Sequence, residues 1–322
     1  MQVSRREFIK YMTALGLSSV AAGALFSLLG CESGPDTTPV DTIAPSVEPP
    51  EVPAGTYLSV VRGESPAELV NTAIKALGGI ERFVKPDDSV IIKPNICVAY
   101  HSYEYAATTN PEVVAAVVSL CRQAGARQVR VMDSPFGGTA EQAYKRTGIA
   151  DAVEAVGGEM EIMSPIKFRK TPLPHGQDIK DWPVYGEALD ADVLINIPIA
   201  KHHGMARLTL GMKNLMGLIQ DRPKFHGNLG QRIADLNTLL RPDLTIIDGV
   251  RILMNHGPSG GSLDDVKLAN TVIASHDIVA ADTYAASLFD LTGADIPAIR
   301  AGSKMGLGIT DLSSLKIEEL SV

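Results

Sequence analysis

Cysteine is scarce. Three thiols in 322 residues exclude a disulfide scaffold and a self-contained iron–sulfur cluster held by four thiolates. Aromatic residues make up only 5%, with a single Trp, so stacking platforms for bases or sugar rings are few. Basic charge is in deficit as well: 29 Lys and Arg against 37 Asp and Glu leave a formal net charge of −8. Nucleic-acid binding needs a basic surface to neutralise phosphates, so a nucleic-acid partner is excluded. The sequence has no H-E-x-x-H segment and no Walker loop. The hydrophobic content of 45% is that of an ordinary globular protein, which excludes disorder for the bulk of the chain.

The one long apolar run sits near the start. Ser4-Arg5-Arg6-Glu7-Phe8-Ile9-Lys10 is followed by an uncharged stretch from Tyr11 to Gly30. A basic segment before an apolar one is a targeting layout. The heptapeptide resembles the twin-arginine export signal, with Arg5 and Arg6 as its pair. Leu28-Leu29-Gly30-Cys31 resembles a lipobox, in which Cys31 would carry the lipid. The same 20 residues are long enough to span a bilayer uncut. Residues 1–30 are thus read as a signal segment, and 31–55 as a tether rich in Pro and Thr that buries too little apolar surface to fold. The expected partners are the twin-arginine translocase and a membrane, reached through Cys31 or through the uncleaved segment. The expected location is the periplasmic or other extracytoplasmic face.

From residue 56 to 322 short apolar runs alternate with amphipathic ones. Strands are expected at Tyr57–Arg62, Ser89–Ile92, Gln128–Met132, Met160–Met163, Asp192–Ile197, Leu244–Ile247 and Val266–Ala274, the last alternating like an exposed strand. Helices are expected at Pro66–Leu77, Pro111–Ala124, Thr139–Thr147, Ile149–Val156, Leu208–Ile219, Leu229–Leu240, Asp277–Leu291 and Ile296–Lys304. Asn110 before Pro111 is an N-cap signal. Ser164–Val184 holds four prolines without a clear period and reads as a loop or edge insertion. Almost wholly apolar strands alternating with helices predict an α/β three-layer sandwich with a mostly parallel sheet.

Polar residues follow four of these strands: Lys93 and Asn95, Asp133, Asn196 and Lys201, and Asp248. Ligands of open α/β sheets bind at the carboxyl ends of the strands, which makes this edge the expected site. Thr209, Lys213 and Gly217 are four apart, and share one face of the expected helix. Lysines suit a carboxylate or phosphate; His202 and His203 suit proton transfer or metal ligation. Gly257–Gly261, including Gly260, offers backbone N–H groups for an anion. Asp282, on an almost wholly apolar helix, must be exposed or partnered, with Lys93, Lys201 and Lys213 as expected partners. His226 and Asp221 flank Pro223 in an expected loop over the site.

The run Lys201–Gly217, K-H-H-G-M-A-R-L-T-L-G-M-K-N-L-M-G, resembles the family catalogued as domain of unknown function 362. Its specific part is K-x-H followed by T-x-x-x-K-N-x-x-G, carried here by Lys201, His203, Thr209, Lys213, Asn214 and Gly217. The resemblance extends over Lys93-Pro94-Asn95, Asp133-Ser134-Pro135, Asp248-Gly249, Gly257–Gly261 and the Asp277–Ala286 helix. It implies a scaffold and a site, with no general reaction attached. Some relatives carry an added ferredoxin-type cysteine segment, which this chain lacks.

Together these features predict an exported, membrane-anchored α/β enzyme that binds a small anionic ligand. His203, Lys201 and Lys213 are the expected catalytic residues. Lys93, Asn95, Thr209, Asn214, Gly217 and Gly260 are expected to bind the ligand, and Asp133 and Asp248 to complete a divalent metal site. The alternative from a different class is a non-catalytic ligand-binding or cofactor-maturation lipoprotein.

Overall fold

A computed structural model describes residues 55–322, so Arg5, Arg6, Cys31 and all but the last residue of the tether lie outside the described residues. Among the described residues the strands are β1 Leu58–Arg62, β2 Ser89–Pro94, β3 Gln128–Val131, β4 Glu159–Met160, β5 Phe168–Pro172, β6 Asp181–Tyr185, β7 Val193–Ile197, β8 Ile199–His203, β9 Arg207–Thr209, β10 Leu244–Leu253, β11 Val266–Ser275 and β12 Ile317–Ser321. The main sheet runs β12-β1-β11-β10-β7-β2-β3-β4, with β8 branching from β10 and β9 pairing with β8. Neighbours from β4 through β3, β2 and β7 to β10 are parallel, and β11 is antiparallel to both β10 and β1.

The two sheet faces explain why the strands are so apolar. Ile91 belongs to one buried cluster and its neighbours Val90 and Ile92 to the other, and Leu194 and Ile195 divide in the same way. Successive strand side chains alternate between faces, so a strand covered on both sides has no room for a polar stripe. Helices Pro66–Ala76, Pro111–Gln123 and Ile149–Ala155 cover one face. Helices Leu229–Leu239, Ile278–Ala286 and Pro297–Lys304 cover the other. This is an α/β sandwich of three layers. The Asn110 cap is present: its Oδ1 accepts from Glu112 N at 2.9 Å, with Pro111 in the first turn.

Four sequence readings change. Leu208–Ile219 is not one helix. Arg207–Thr209 is a strand, Gly211–Asn214 a single helical turn and Leu215–Leu218 a 3-10 turn. A close approach explains Gly211, since a Cβ there would lie 2.7 Å from Asp282 Oδ1. β10 runs on to Leu253, with an irregularity between Gly249 and Arg251, so Asp248 lies inside a strand and not at its end. The inner half of β11 is buried because β1 and β10 flank it, so only its outer half matches the exposed strand expected. Within Ser164–Val184, β5 and β6 form a separate two-stranded ribbon. No helix among the described residues is long and apolar enough to cross a membrane.

Candidate functional site

The carboxyl ends of β2 and β3, the β8–β9 hairpin and the turns from Gly211 to His226 enclose a cavity of about 570 Å³. Lys93, Lys201, Lys213 and Arg222 line it, and Asp133 is the sole carboxylate in that lining. Lys93 Nζ lies 2.7 Å from Asp133 Oδ1, both side chains being almost fully buried. Asp133 also accepts from Ile96 N at 2.6 Å and Ser134 N at 2.8 Å. An Asn ladder joins this ion pair to the hairpin. Lys93 Nζ donates to Asn214 Oδ1 at 3.0 Å, and so does Asn95 Nδ2 at 2.9 Å. Asn214 Nδ2 donates to Asn196 Oδ1 at 2.8 Å. Lys201 Nζ donates to Asn95 Oδ1 at 2.9 Å and to Ala107 O at 2.5 Å.

Burial governs the charges. It pulls the Lys93 ammonium below its ordinary pKa although Asp133 opposes the shift, and it does the same to Lys201. Lys213 has no hydrogen-bond or ion-pair partner among the described residues. Burial, with Lys201 as the next cause, brings its pKa down to about 7. An amine that titrates there can accept a proton near neutrality.

His203 Nδ1 accepts from Met205 N at 3.2 Å and Ala206 N at 3.3 Å. A nitrogen that accepts amide protons carries none itself, so Nε2 holds the ring proton and acts as a donor. Burial first, then Lys213, holds the His203 pKa down to about 3. His203 thus meets the cavity as a neutral ring with Nε2–H as its donor. At His226 the pattern is opposite: Nδ1 faces the Arg222 carbonyl at 2.5 Å, and a carbonyl can only accept. Thr209 Oγ1 is buried without a partner among the described residues.

A family model described as "Domain of unknown function (DUF362)" matches residues 90–287. A thylakoid-associated protein of Synechocystis sp. is 32% identical over 251 residues, covering 75% of each chain. The chain belongs to the DUF362 family. Among solved structures, the lactate racemase apoprotein from Thermoanaerobacterium thermosaccharolyticum is 12% identical at a TM-score of 0.43, covering 70% of this chain and 55% of its own. A Thermotoga maritima protein is 13% identical at a TM-score of 0.42, covering 71% of this chain and 60% of its own. The chain thus spans less than two thirds of either structure.

Within this DUF362 chain, Lys93, Asn95, Asp133, Lys201, His203, Thr209, Lys213, Asn214 and Gly217 come together around the cavity. Thr209 arrives on β9, opposite Lys201, and not on a helix stripe shared with Lys213. A Cβ on Gly217 would lie 1.9 Å from Asp133 Oδ1 and 2.6 Å from Lys93 Nζ, so this glycine makes room for the ion pair.

Three expected residues fall elsewhere. Asp248 does not line the cavity, because its carboxylate accepts from Asn110 N at 2.7 Å and Val250 N at 3.0 Å. The expected joint metal site with Asp133 is therefore not formed. Among the described residues no three His, Cys, Asp or Glu side chains gather as a metal site would require. Gly260 lies outside the lining, which takes Gly257 and Pro258 instead. His202 alternates away from the lining, its Nδ1 accepting from Gly257 N at 3.1 Å. Gly257–Gly261 also has the letters G-x-S-x-G, but it leads into β11 and not into a helix, and Ser259 does not reach the cavity.

Asp282 has amide partners and no lysine: it accepts from Gly211 N at 2.6 Å and Met212 N at 2.9 Å. Of the loop pair, His226 lines the cavity and Asp221 does not. Arg222 was not expected. Its guanidinium donates to Ser134 O at 2.8 Å and Pro135 O at 3.2 Å, and the one available signal was its place beside Pro223 in that loop.

Proposed function

We propose that this DUF362 protein is an enzyme that binds a small organic anion in the cavity at the carboxyl ends of β2 and β3. One observation carries the reading: three lysines and one arginine face one carboxylate there, and Lys213 has no protein partner among the described residues. Like charges near contact repel by about 1 kcal/mol per pair even in water, and by more when partly buried. An anionic ligand relieves that repulsion, and Lys213, titrating near neutrality, is placed to exchange a proton with it. His203 Nε2–H is a donor left for the ligand. Inorganic phosphate and short dicarboxylates should raise the melting temperature, a ligand at 100 Kd adding about 2.7 kcal/mol. Lys213→Met should remove most of that gain. A melting temperature indifferent to every anion tried would end the reading.

The alternative, capture of a ligand without turnover or as a step of cofactor maturation, has its own observation. Lys93 already spends its three N–H groups on Asp133, Pro94 O and Asn214, and Lys201 spends two of its three on Asn95 and Ala107 O, as in a rigid binding cradle. Mass spectrometry of small molecules released from the purified protein decides between the two, since a binder retains its ligand unchanged and an enzyme converts it.

We further propose export by the twin-arginine route and anchoring through Cys31. The motif at Ser4–Lys10 and the Leu28–Cys31 segment support this, as does the relative named for its thylakoid association. Replacing both Arg5 and Arg6 with Lys should stop export, and Cys31→Ser should abolish fatty-acid labelling while leaving export intact.

A further inference from the structure

The anion reading accounts for the depth of the cavity and leaves its mouth unexplained. Lys93 and Lys201 are each 1% exposed, whereas Phe136 and Met205 line the same cavity and are 57% and 62% exposed. Single exposed apolar side chains are ordinary on a protein surface. Here two of the eight large hydrophobics that stand exposed among the described residues border one opening. A third, Tyr100, extends the rim, because a Cβ on Gly137, the neighbour of Phe136, would lie 3.1 Å from its Cε1. Two other cavities of comparable size, about 610 and 640 Å³, have no such residue in their linings.

Neither side chain is exposed for want of backbone contacts. Phe136 N donates to Cys97 O at 3.1 Å and Ala99 N to Gly137 O at 2.8 Å, and Arg222 holds the preceding Ser134 and Pro135 carbonyls. Met205 N donates to His203 Nδ1 at 3.2 Å. These fixed positions keep apolar surface in water, and an apolar group placed against it is favoured. Size points the same way. The cavity of about 570 Å³ lies within the range of roughly 300–1,000 Å³ found for sites of drug-sized molecules. A water molecule's share of the liquid is about 30 Å³, so an inorganic phosphate alone leaves most of this space unfilled.

We propose that the ligand is an amphipathic organic anion, its acid group at the lysines and its apolar body against Phe136 and Met205 at the mouth. The proposal rests on the anion reading and names its substrate class. Phe136 and Met205 are then the residues that set specificity, since they read the body and the lysines read the charge. A phenyl ring offers a flat apolar face or an edge to another ring. An unbranched thioether adapts to bodies of different shape. No bond is made or broken at the rim.

The test uses the full chain and titration calorimetry with three phosphate monoesters that share one head group: methyl, phenyl and hexyl phosphate. Ring and chain each add five carbons to the methyl group, and they separate two sources of the body, an aryl compound and an alkyl chain of lipid origin. At least one of the larger esters should bind about ten-fold or more tightly than methyl phosphate, and the favoured one assigns the source. Phe136→Ser combined with Met205→Ser should cut that preference to within about three-fold, and Phe136→Leu alone should keep most of it. Lys213→Met should weaken all three esters. If methyl phosphate binds and neither larger ester binds more tightly, the amphipathic class falls and the anion reading stands. If no ester binds and inorganic phosphate leaves the melting temperature unchanged, both fall. Phenol or hexanol binding as tightly as its ester, untouched by Lys213→Met, would show the mouth acting alone and would overturn the proposal. So would a serine pair that alters self-association and leaves the ester preference intact, since the rim would then be an interface between copies of this chain.

Discussion

The buried carboxylates and the buried amines of this protein are handled in opposite ways. Asp235, fully buried, accepts from three consecutive amides, Gln177 N at 2.9 Å, Asp178 N at 2.7 Å and Ile179 N at 2.9 Å. Asp282 and Asp248 each take two amides. Asp235 and Asp282 tie loops and turns to helices and Asp248 ties one to the sheet, each through both carboxylate oxygens. Around the cavity the accounting is incomplete: among the described residues Lys213 has no partner, Thr209 has none, and the cations outnumber the acid. Burial of a charged group therefore does not mark a site in this molecule. Convergence of uncompensated groups on one cavity does, since single buried polar atoms without a partner among the described residues also occur away from it, Thr245 Oγ1 and both ring nitrogens of His276 among them.

Substitutions separate the two regions, and the largest effect is expected where they touch. Gly217→Ala drives a Cβ into the Lys93–Asp133 pair and should cost about 3 kcal/mol or more, since a displaced buried ion pair is left uncompensated. Urea denaturation would show it as a lower midpoint, and an unchanged midpoint would mean that the pair moves freely. Asp282→Ala leaves the Gly211 and Met212 amides unpaired in the core and should cost about 2–4 kcal/mol by the same measurement.

Lys213→Met should behave differently. A pKa of about 7 in the folded chain against an ordinary 10.5 means that the unfolded chain holds more protons between those values. Stability from this group is lowest below pH 7 and rises toward pH 10.5. The variant should match or exceed the parent near pH 7 and should lose that rise, which denaturation at several pH values reads directly. A Lys213→Met protein clearly weaker than the parent at pH 7 would show that Lys213 is structural. Gly204→Ala is the smallest expected effect, within about 0.5 kcal/mol, because nothing lies within 4 Å of the added carbon although the residue lines the cavity.

Much of this arrangement was legible in the chain. The apolar runs at Val90–Ile92 and Leu194–Ile195 foretold a covered parallel sheet, and the polar residues placed after β2 and β3, Lys93, Asn95 and Asp133, do gather in the lining of one cavity. The Lys201–Gly217 run foretold which side chains to watch but misjudged how they meet. Its apolar spacing at Leu208, Met212, Leu215, Met216 and Ile219 fits a helix, and Gly211 with its close approach to Asp282 interrupts that helix through a contact 71 positions away. Asp248 failed as a strand-end residue because pairing with β11 carries β10 past it. The tautomer of His203 had no sequence signal at all, since it depends on two turn amides whose direction only the folded hairpin sets. Arg222, which reaches the cavity by hydrogen-bonding a loop 88 residues away, had only its place beside Pro223 as a signal.

The β8–β9 hairpin behaves like a reading frame. Lys201 and His203 share a face because they are two apart, and Thr209 joins them because it stands opposite Lys201. Loss of the His203 codon would put His202 opposite Arg207, on the face that Thr209 shares, and turn Lys201 to the other face, changing the chemistry of the wall. One codon gained between Gly204 and Ala206 would keep the phase but carry the two amides away from His203 Nδ1, releasing the ring to exchange its donor for an acceptor. This stretch should therefore tolerate spelling changes far better than length changes, and deletion scanning across it should record a sharper boundary than any alanine scan.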